Sequence, residues 1–293
     1  MTEPSTRIPS ETHIGSLDLR ISNLDRALAF YCGLLGFREI GRDGSAVRLS
    51  ASGGEPYHIA LTELRSAKQK PHRSTGLFHV AFLYPSRKTL AIALSRLTER
   101  EFPLQGAADH GVSEALYLAD PDGNGIELYV DRPRSEWPMQ GTQLAMVTEP
   151  LNVQSLLDEV DSYQWNGIHP ETRIGHVHLQ VSNLVKSREF YCDVLGFEIT
   201  QSSYPGALFI ASGGYHHHIG MNVWSSFGAP PPPPDAVGLI SFRIVTSGGY
   251  LPQVASRLDR LAFAFEKQAD ASNHSSLRIV DPDRITADVT SGS

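Results

Sequence analysis

The sequence predicts an α+β fold made of four βαβββ modules, and two internal repeats carry this prediction. The segment at 14–37, IGSLDLRISNLDRALAFYCGLLGF, returns 160 residues later at 174–197 as IGHVHLQVSNLVKSREFYCDVLGF. A second pair, GLFHVAF at 76–82 and GLISFRI at 238–244, follows in the same order. Repetition of this kind indicates that one supersecondary unit is used several times. We place the four modules at about 10–65, 74–132, 172–225 and 237–291.

Modules one and three each open with a strand that leads into a helix. In module one, the residues from His13 to Ile21 alternate with the period of a half-buried strand. The helix begins after Ser22 or Asn23, which are both good N-cap residues. It ends at Gly36, which suits the left-handed backbone of a helix C-terminus. Short strands follow at 45–51 and 57–64 in module one, and at 207–212 and 217–224 in module three.

Modules two and four repeat this order of elements. In module two, residues 76–84 form a strand and residues 86–100 form an amphipathic helix. The segments EALYLADP and GIELYV are strands, and the turn residues DPDGNG separate them. This motif, DPDGNGIE at 120–127, returns as DPDRITAD at 281–288. Module four follows from Val237 to the C-terminus.

The two halves of the chain are joined by a segment without a repeat partner. Residues 133–171 contain several prolines, and we expect a connector with one short helix from Asn152 to Val160. The predicted N-terminal domain, 1–132, contains modules one and two. The predicted C-terminal domain, 172–293, contains modules three and four.

Composition and charge narrow the functional classes. The 293 residues carry a net charge of −7, which argues against nucleic acid or an anionic membrane as a partner. No apolar run approaches the ~20 residues that span a bilayer, and no secretory signal is visible, so the cytoplasm is the expected location. Cys32 and Cys192 are expected to be reduced, buried thiols. The sequence leaves a homo-oligomer open.

Four equivalent positions on the opening strands face the concave side of the sheets. They are Ser16, His79, His176 and Ser241, one in each module. The closing strands of modules two and four add Glu127 and Asp288. Only modules two and three together offer two histidines and a carboxylate, namely His79, His176 and Glu127. This ligand set, with open positions for substrate and O₂, suits non-haem Fe(II).

The distribution of these ligands predicts how the modules pair. Module two should pair with module three, and module one with module four, so that two cupped β-sheet barrels form. The 1+4 cup would then hold Ser16, Ser241 and Asp288 and bind no metal. His58, which aligns with His218, is interpreted as a structural residue of that cup.

Each histidine also has a simpler interpretation. A single histidine on a half-buried strand is more often a core or surface residue than a ligand. His178 lies two residues after His176 on the same strand face, so it is either a rival ligand or a supporting partner. The HHH run at 216–218 could be a strand with one histidine pointing inward and two pointing outward.

Four sequence blocks resemble a known superfamily. They are IGHVHLQVSNL…FYCDVLGF, GGYHHHIGMNVW, GLFHVAF and DHGVSEALYLADPDGNGIELYVDRP. These blocks resemble the vicinal oxygen chelate superfamily, which includes glyoxalase I, bleomycin-resistance proteins and type I extradiol dioxygenases. The chain is most similar to its two-domain, catechol 2,3-dioxygenase-like group. One departure is the loss of His and Glu from module four, where better-studied extradiol enzymes usually keep them.

The resemblance implies a site and a reaction. It implies an Fe(II) site with two His and one Glu, with Mn(II) as the alternative metal, and pairing of non-consecutive modules. His217 would be the acid–base residue, Tyr117 would bind substrate, and His110 would flank the substrate. The expected reaction is extradiol cleavage of a catechol by O₂, with one catechol proton taken by His217 or His110.

Two other functions remain alternatives at this point. One is a glyoxalase-like isomerase or thiol transferase that uses Ni, Zn or Mn and has a fourth protein ligand, often Glu or Gln. The other is a binding protein of the bleomycin-resistance type, without chemistry. One superfamily hosts all three functions, so the fold alone does not decide among them.

Overall fold

All four predicted modules are present in the computed structural model, which describes residues 7–141, 143–269 and 275–292. Module one contains β1 (His13–Ile21), α1 (Leu24–Leu28), β2 (Arg38–Asp43), β3 (Ala46–Ser50) and β4 (Ile59–Glu63). Module two contains β5 (Gly76–Leu83), α2 (Arg87–Glu99), β6 (Gly106–Asp109), β7 (Ser113–Ala119) and β8 (Gly125–Asp131). The connector contains β9 (Met139–Gln140), β10 (Gln143–Leu144), β11 (Glu149–Pro150) and α3 (Val153–Leu157).

The second half of the chain repeats the same element order. Module three contains β12 (Arg173–Gln180), α4 (Leu184–Arg188), β13 (Glu198–Gln201), β14 (Ala207–Ala211) and β15 (Ile219–Asn222). Module four contains β16 (Gly238–Thr246), α5 (Leu251–Arg260), β17 (Phe265–Ala269), β18 (Ser275–Val280) and β19 (Thr286–Ser291). None of the described helices has the length and apolarity needed to cross a membrane.

The strands form two large sheets, and each sheet combines one module from either half of the chain. The 2+3 sheet has the order β11-β6-β7-β8-β5-β12-β15-β14-β13. The 1+4 sheet has the order β17-β18-β19-β16-β1-β4-β3-β2. Antiparallel seams join β5 to β12 and β1 to β16. The predicted α+β fold and the predicted pairing of modules are confirmed, whereas the domain limits 1–132, 133–171 and 172–293 stay a prediction.

The predicted helix of module one is confirmed at both ends but differs in the middle. The Asn23 side chain accepts a hydrogen bond from the Arg26 amide at the N-cap, and Gly36 has a φ of +85°. Residues 29–34, however, form a π-helical turn, because the Leu35 amide bonds to the carbonyl of Phe30, five residues earlier. Module three has the same wide turn at residues 189–194.

These wide turns carry two tyrosines that connect neighbouring modules. The Tyr31 hydroxyl donates to Asp120 Oδ2 at 3.0 Å, and the Tyr191 hydroxyl donates to Asp281 Oδ2 at 3.0 Å. Both aspartates open the DPD turns of modules two and four. The repeated FYC and DPD motifs therefore hold consecutive modules together, and this structural role explains their repetition.

Three local predictions need correction. Cys32 and Cys192 are free thiols, but they are half-buried rather than buried. Strand β15 begins at Ile219, so the run 216–218 precedes the strand instead of lying in it. The connector helix spans five residues, Val153–Leu157, and is shorter than predicted.

Candidate metal and substrate site

Three side chains from separate strands converge on the concave face of the 2+3 sheet. His79 is on β5, Glu127 on β8 and His176 on β12. The register places both Glu127 and His176 beside Ala81, one on each side of β5. His79 lies two residues before Ala81 and therefore on the same face. Strand pairing thus brings together residues that are up to 97 positions apart in sequence.

The ligand atoms of the three residues are close enough to share one ion. His79 Nε2 lies 2.9 Å from Glu127 Oε2, and His176 Nε2 lies 3.1 Å from the same oxygen. One ligand atom from each residue lies within 4.8 Å of the other two. The residues are 7%, 2% and 2% exposed in the order His79, Glu127, His176. They are therefore shielded from competing water.

One unsatisfied atom tests whether these residues fit a metal. His79 Nε2 is buried and, despite its proximity to Glu127, has no hydrogen-bond partner of suitable geometry among the described residues. A buried polar nitrogen without a partner is rare and needs an explanation. A cation bound between the two imidazoles and the carboxylate would satisfy it. The donor set of two nitrogens and one carboxylate oxygen therefore fits a divalent transition metal.

The protonation states also suit metal binding. Burial lowers the pKa of His176 to about 4, so its imidazole is neutral at pH 7. Burial tends to raise the pKa of Glu127, but attraction to His176 and His79 holds it well below the usual value. The site therefore offers a neutral imidazole and an ionised carboxylate, which are the forms that bind metal ions.

A glycine immediately before His176 is required by packing. The β5–β12 register shifts between Ile174 and His176, which leaves Gly175 as the extra residue of a bulge. A Cβ atom on Gly175 would lie 1.6 Å from the Tyr129 hydroxyl. The Tyr129 ring packs against His176 with centroids 5.0 Å apart. The glycine thus allows the tyrosine to lie against the imidazole of His176.

Among the residues that the structure describes, the site offers three protein ligands rather than four. By the repeat, Glu127 of module two corresponds to Gly220 of module three, because each pairs with the residue two positions after the opening-strand histidine. Gly220 has no side chain to offer. A Cβ atom there would come within 3.0 Å of the His178 ring, which occupies the space.

His178 lies beside the three candidate ligands. Its ring centroid is 5.0 Å from that of His79, and the two residues are directly paired across the seam. Its buried Nε2 has no hydrogen-bond partner in the described part of the chain. The ligand atoms that converge are nevertheless those of His79, Glu127 and His176. The geometry therefore favours His176 over His178 as the ligand.

His217 is the end of a hydrogen-bonded chain of three residues. His216 Nε2 lies 2.9 Å from Asp131 Oδ1, and His216 Nδ1 lies 2.7 Å from His217 Nδ1. When the carboxylate accepts from His216 Nε2–H, neutral His216 has an acceptor at Nδ1, and His217 Nδ1–H donates to it. His217 Nε2 is then the nitrogen that can accept a proton. The His217 ring is tilted against the His176 ring, with centroids 4.0 Å apart, and it borders the cavity.

Sequence reasoning missed the roles of Asp131 and His216 in this chain. The sequence contained a signal for Asp131. Glu127, Tyr129 and Asp131 lie two residues apart along β8, so their side chains face the same side of the sheet. All three histidines of the HHH run are buried. The simpler interpretation of that run, with two histidines pointing outward, is wrong.

Tyr117 and His110 are hydrogen-bonded to each other. His110 Nδ1–H donates to the Val147 carbonyl at 2.7 Å, so His110 Nε2 is free to accept from the Tyr117 hydroxyl, also at 2.7 Å. Tyr117 is paired with Glu127 across β7 and β8. Burial and the Glu127 charge raise the pKa of Tyr117 well above 10, so the hydroxyl stays protonated.

A cavity of about 290 Å³ lies over these residues and contains all six predicted site residues in its lining. The connector supplies Met146, Val147 and Thr148 to the same lining. The Gln201 side chain holds this segment by donating to the Met146 carbonyl at 3.3 Å. The sequence did not predict this contribution, because the connector has no repeat partner to align with.

The 1+4 sheet has a different set of side chains at the equivalent positions. Asp288 corresponds to Glu127, and Arg278 binds both of its oxygens at 2.8 and 2.9 Å. Ser241 corresponds to His79 and donates to Asp18 at 3.2 Å. His58 Nδ1 accepts from the Ala51 amide at 3.3 Å, which agrees with its structural interpretation.

Comparisons with known proteins agree with this architecture. The family model described as Glyoxalase/Bleomycin resistance protein/Dioxygenase superfamily matches residues 13–128 and 173–283. The chain is 43% identical over 282 residues to a catechol-2,3-dioxygenase of Bacillus subtilis (strain 168), covering 94% of this chain and 96% of that protein.

Two solved structures share the fold at low identity. A crystal structure from Bacillus subtilis subsp. subtilis str. 168 has a TM-score of 0.64 at 12% identity, covering 98% of this chain and 86% of its own. Glyoxalase I from Zea mays has a TM-score of 0.60 at 14% identity, covering 96% and 92%.

Proposed function

We propose that this chain, which belongs to the glyoxalase/bleomycin resistance protein/dioxygenase superfamily, is an extradiol dioxygenase that uses Fe(II) and O₂ to open catechol-type rings. The observation that carries the proposal is the buried set of His79, Glu127 and His176, with its unsatisfied imidazole nitrogen. The relative named catechol-2,3-dioxygenase supports the choice of reaction.

His79, Glu127 and His176 would hold the metal, and the other cavity residues would handle the substrate. Bound Fe(II) would supply Lewis acidity and one-electron chemistry between the diol and O₂. His217 Nε2 would accept a proton from a catechol hydroxyl, since its Nδ1 is already committed to His216. The Tyr117 hydroxyl oxygen would accept a hydrogen bond from a substrate hydroxyl, because its own proton is donated to His110 Nε2, and His110 would thereby orient the Tyr117 hydroxyl.

The overall reaction balances without an external reductant. The ring C–C bond next to the diol breaks and is oxidised, O₂ is reduced, and both of its oxygen atoms enter the open-chain product. Labelling with ¹⁸O₂ is therefore expected to place two labelled atoms in each product molecule. This result would distinguish a dioxygenase from an enzyme that releases one oxygen as water.

The structure provides less support for the two alternative functions. A glyoxalase-like site with four ligands lacks its fourth one, because Gly220 stands at the position equivalent to Glu127. A binding protein without a metal would have to bury a carboxylate between two imidazoles with no chemical use for them. Burying such polar groups is costly unless they are fully satisfied.

The test begins with anaerobic reconstitution. The purified protein would be loaded with Fe(II), mixed with a panel of catechols and then exposed to air. A yellow ring-fission product that requires both iron and O₂ is the expected result. Bound iron without product from any catechol would reject the reaction. Loading with Mn(II), Ni(II) or Zn(II) in parallel would identify the metal that the activity needs.

A further inference from the structure

A second cavity lies where the end of the connector meets modules one and two. Its volume is about 250 Å³, and it is lined by Arg38 of β2, by Tyr84, Thr89 and Ile92 of module two, and by residues 164–170 of the connector. Among the residues that the structure describes, it shares none with the cavity over the metal-site residues. We call it the connector cavity. The proposed reaction gives it no role.

The internal repeat supplies a counterpart of this region for comparison. At the offset of 160 residues, the end of the connector aligns with residues 7–12, which precede β1. The Ile168 amide donates to the Gly36 carbonyl at 3.3 Å, and the Ile8 amide donates to the Gly196 carbonyl at 3.0 Å. Both segments therefore lie against the helix end of a module in the same way. Differences between the two places arise from their side chains.

Two hydroxyl groups are bonded to each other in the counterpart but not at the connector cavity. Thr12 Oγ1 and Thr246 Oγ1 share a hydrogen bond of 2.9 Å. The equivalent residues are Thr172 and Tyr84, and both of their hydroxyls are buried without a hydrogen-bond partner in the described chain. Buried polar groups without partners are rare and need an explanation. Tyr84 lines the connector cavity, so a molecule bound there would satisfy its hydroxyl.

The two places also differ in charge. In the counterpart, Glu198 forms an ion pair with Arg7, with Oε1 and Nε 3.1 Å apart. The residue equivalent to Glu198 is Arg38, and the residue equivalent to Arg7 is Gly167, which has no side chain. Arg38 donates through Nη1 to two backbone carbonyls, at 2.9 and 3.2 Å, and forms no ion pair with the described residues. The connector cavity therefore has a guanidinium whose counter-ion these residues do not supply.

Two further polar groups of the lining can donate hydrogen bonds. Burial raises the pKa of Tyr84, so its hydroxyl keeps a proton that it can donate. His169 Nδ1 accepts from the Glu171 amide at 3.3 Å, which leaves the ring hydrogen on Nε2. No aspartate or glutamate occurs among the described lining residues. A guanidinium and neutral donors without a carboxylate favour an anionic ligand.

The rest of the lining offers apolar contact. The residues that provide it are Ile92, Trp165, Ile168 and Pro170. Arg96 holds the indole of Trp165, since its guanidinium carbon lies 5.3 Å from the ring centroid. The cavity volume lies just below the ~300–1,000 Å³ that is typical of small-molecule sites. A ligand with a single ring or a short chain therefore fits.

We propose that the connector cavity binds a small carboxylate with an apolar body. Its carboxylate pairs with Arg38 and accepts a hydrogen bond from the Tyr84 hydroxyl, while its body packs on Trp165. The ligand thereby provides the counter-ion and the hydrogen-bond partner that the counterpart has within the chain. This site does not depend on the reaction at the metal-site residues, so either proposal can fail without the other.

Three probes of graded chemistry provide the first test. Benzoate, benzamide and acetate would each be titrated calorimetrically into the Fe(II)-loaded protein without O₂. We expect benzoate to bind with a dissociation constant of roughly 0.1–1 mM, as suits a ligand of this size. Benzamide has the ring without the charge, and acetate has the charge without the ring, so each should bind at least ~10-fold more weakly. No benzoate binding in this range would leave only water for the Tyr84 hydroxyl and would overturn the proposal.

The guanidinium is tested with a matched pair of arginines on β2. Arg38→Gln should weaken benzoate binding at least ~10-fold, because the charged partner is lost. Arg42→Gln is the control, since Arg42 pairs with Glu39 and does not line the connector cavity. It should bind benzoate as the unmodified protein does. Equal affinities of Arg38→Gln and the unmodified protein would place benzoate elsewhere.

The buried hydroxyl is tested by Tyr84→Phe. This variant should bind benzoate about fivefold more weakly, whereas its unfolding temperature without benzoate should not fall, because the hydroxyl has no partner to lose. Tyr163→Phe is the control in the connector, since its hydroxyl donates to Glu99 at 3.0 Å and lies outside the lining. It should bind benzoate normally. A lower unfolding temperature of Tyr84→Phe with full benzoate affinity would show a structural role and contradict the one in binding.

Tryptophan fluorescence shows which of the two cavities benzoate occupies. Trp165 lines the connector cavity and Trp224 lines the cavity over the metal-site residues. The fluorescence change caused by benzoate should vanish in Trp165→Phe and persist in Trp224→Phe. The reverse result would place benzoate beside the metal-site residues and overturn the proposal.

Discussion

The two sheets have the same strand order within each module but differ in the residues that surround a carboxylate on the concave face. In the 1+4 sheet, Asp288 is paired in register with Arg278 on one side and Arg243 on the other. In the 2+3 sheet, the equivalent Glu127 is paired with Tyr117 and Ala81. Asp288 has a guanidinium bound to it, whereas the neighbours of Glu127 among the described residues are two imidazoles and a phenol.

The same fold therefore has a structural role in the 1+4 sheet and forms a candidate reactive site in the 2+3 sheet. A buried carboxylate needs a compensating positive charge or several hydrogen bonds. In the 1+4 sheet Arg278 supplies that positive charge, so the Asp288 carboxylate is neutralised within the protein. The 2+3 sheet replaces both flanking arginines and adds histidines instead. Its carboxylate therefore suits an external cation.

The sharpest test of this contrast changes the two carboxylates separately. Glu127→Gln removes the charged ligand, so iron should be lost and kcat/KM should fall at least ~10³-fold. Asp288→Asn should leave the iron content and the activity unchanged and lower only the stability. Metal analysis and ring-cleavage assays on both variants measure this. Full iron occupancy in Glu127→Gln would remove Glu127 from the ligand set.

The two sheets should also differ in their response to acid. Four histidines of module three, in the 2+3 sheet, have lowered pKa values because they are buried; they are His176, His178, His217 and His218. In the described 1+4 sheet only His58 shares this property. The unfolded chain binds protons at these groups below about pH 6.5, whereas folded His176 does so only near pH 4.

The unfolding free energy of the metal-free protein should therefore fall as the pH drops from 6.5 to 4. His176 alone contributes about 3 kcal/mol to this loss. Denaturant titrations at several pH values measure it. His218→Gln should flatten the pH dependence more than His58→Gln. The opposite ranking would contradict the electrostatic difference between the sheets.

A third comparison uses His217 and Tyr57, which occupy equivalent positions at the offset of 160 residues. His217→Gln should lower kcat about 100-fold without loss of iron, because a positioned acid–base group is removed. Tyr57→Phe removes the hydrogen bonds to Asp18 and Arg243, within the 1+4 sheet, and should leave kcat unchanged. Steady-state kinetics with parallel iron determination would separate these effects. An unchanged kcat in His217→Gln would contradict this role of His217 and would indicate His110 as the proton acceptor.

The smallest expected difference concerns the two bulge glycines. Gly175→Ala forces a methyl group onto the Tyr129 hydroxyl, which also bonds to Tyr215 at 2.8 Å. We expect a loss of stability of about 1–3 kcal/mol and weaker iron binding. In Gly15→Ala the close contact of the new methyl group is with the end of the Val245 side chain, at 2.7 Å, so the substitution should cost less and leave iron binding unchanged. Thermal unfolding and iron affinity of the pair test whether Gly175 positions His176.

Some features of the site were visible in the sequence because they depend on local patterns. The repeats identified the four modules, and strand alternation identified which residues face inward. The loss of histidine from modules one and four then predicted the pairing of modules two and three. The π-helical turns escaped notice because their apolar spacing resembles that of an α-helix. The connector residues Met146, Val147 and Thr148 escaped notice because no second copy exists.

The sequence by itself determined the four βαβββ modules, their 2+3 and 1+4 pairing, and the candidate ligands His79, Glu127 and His176. Only the tertiary structure decided that Asp131 and His216 orient His217, that Gly220 leaves no fourth ligand, and that the connector covers the cavity. The physical reason is that periodicity and repetition are properties of neighbouring residues. Hydrogen-bonded chains and cavity walls depend on register and bulges between strands that are far apart in sequence.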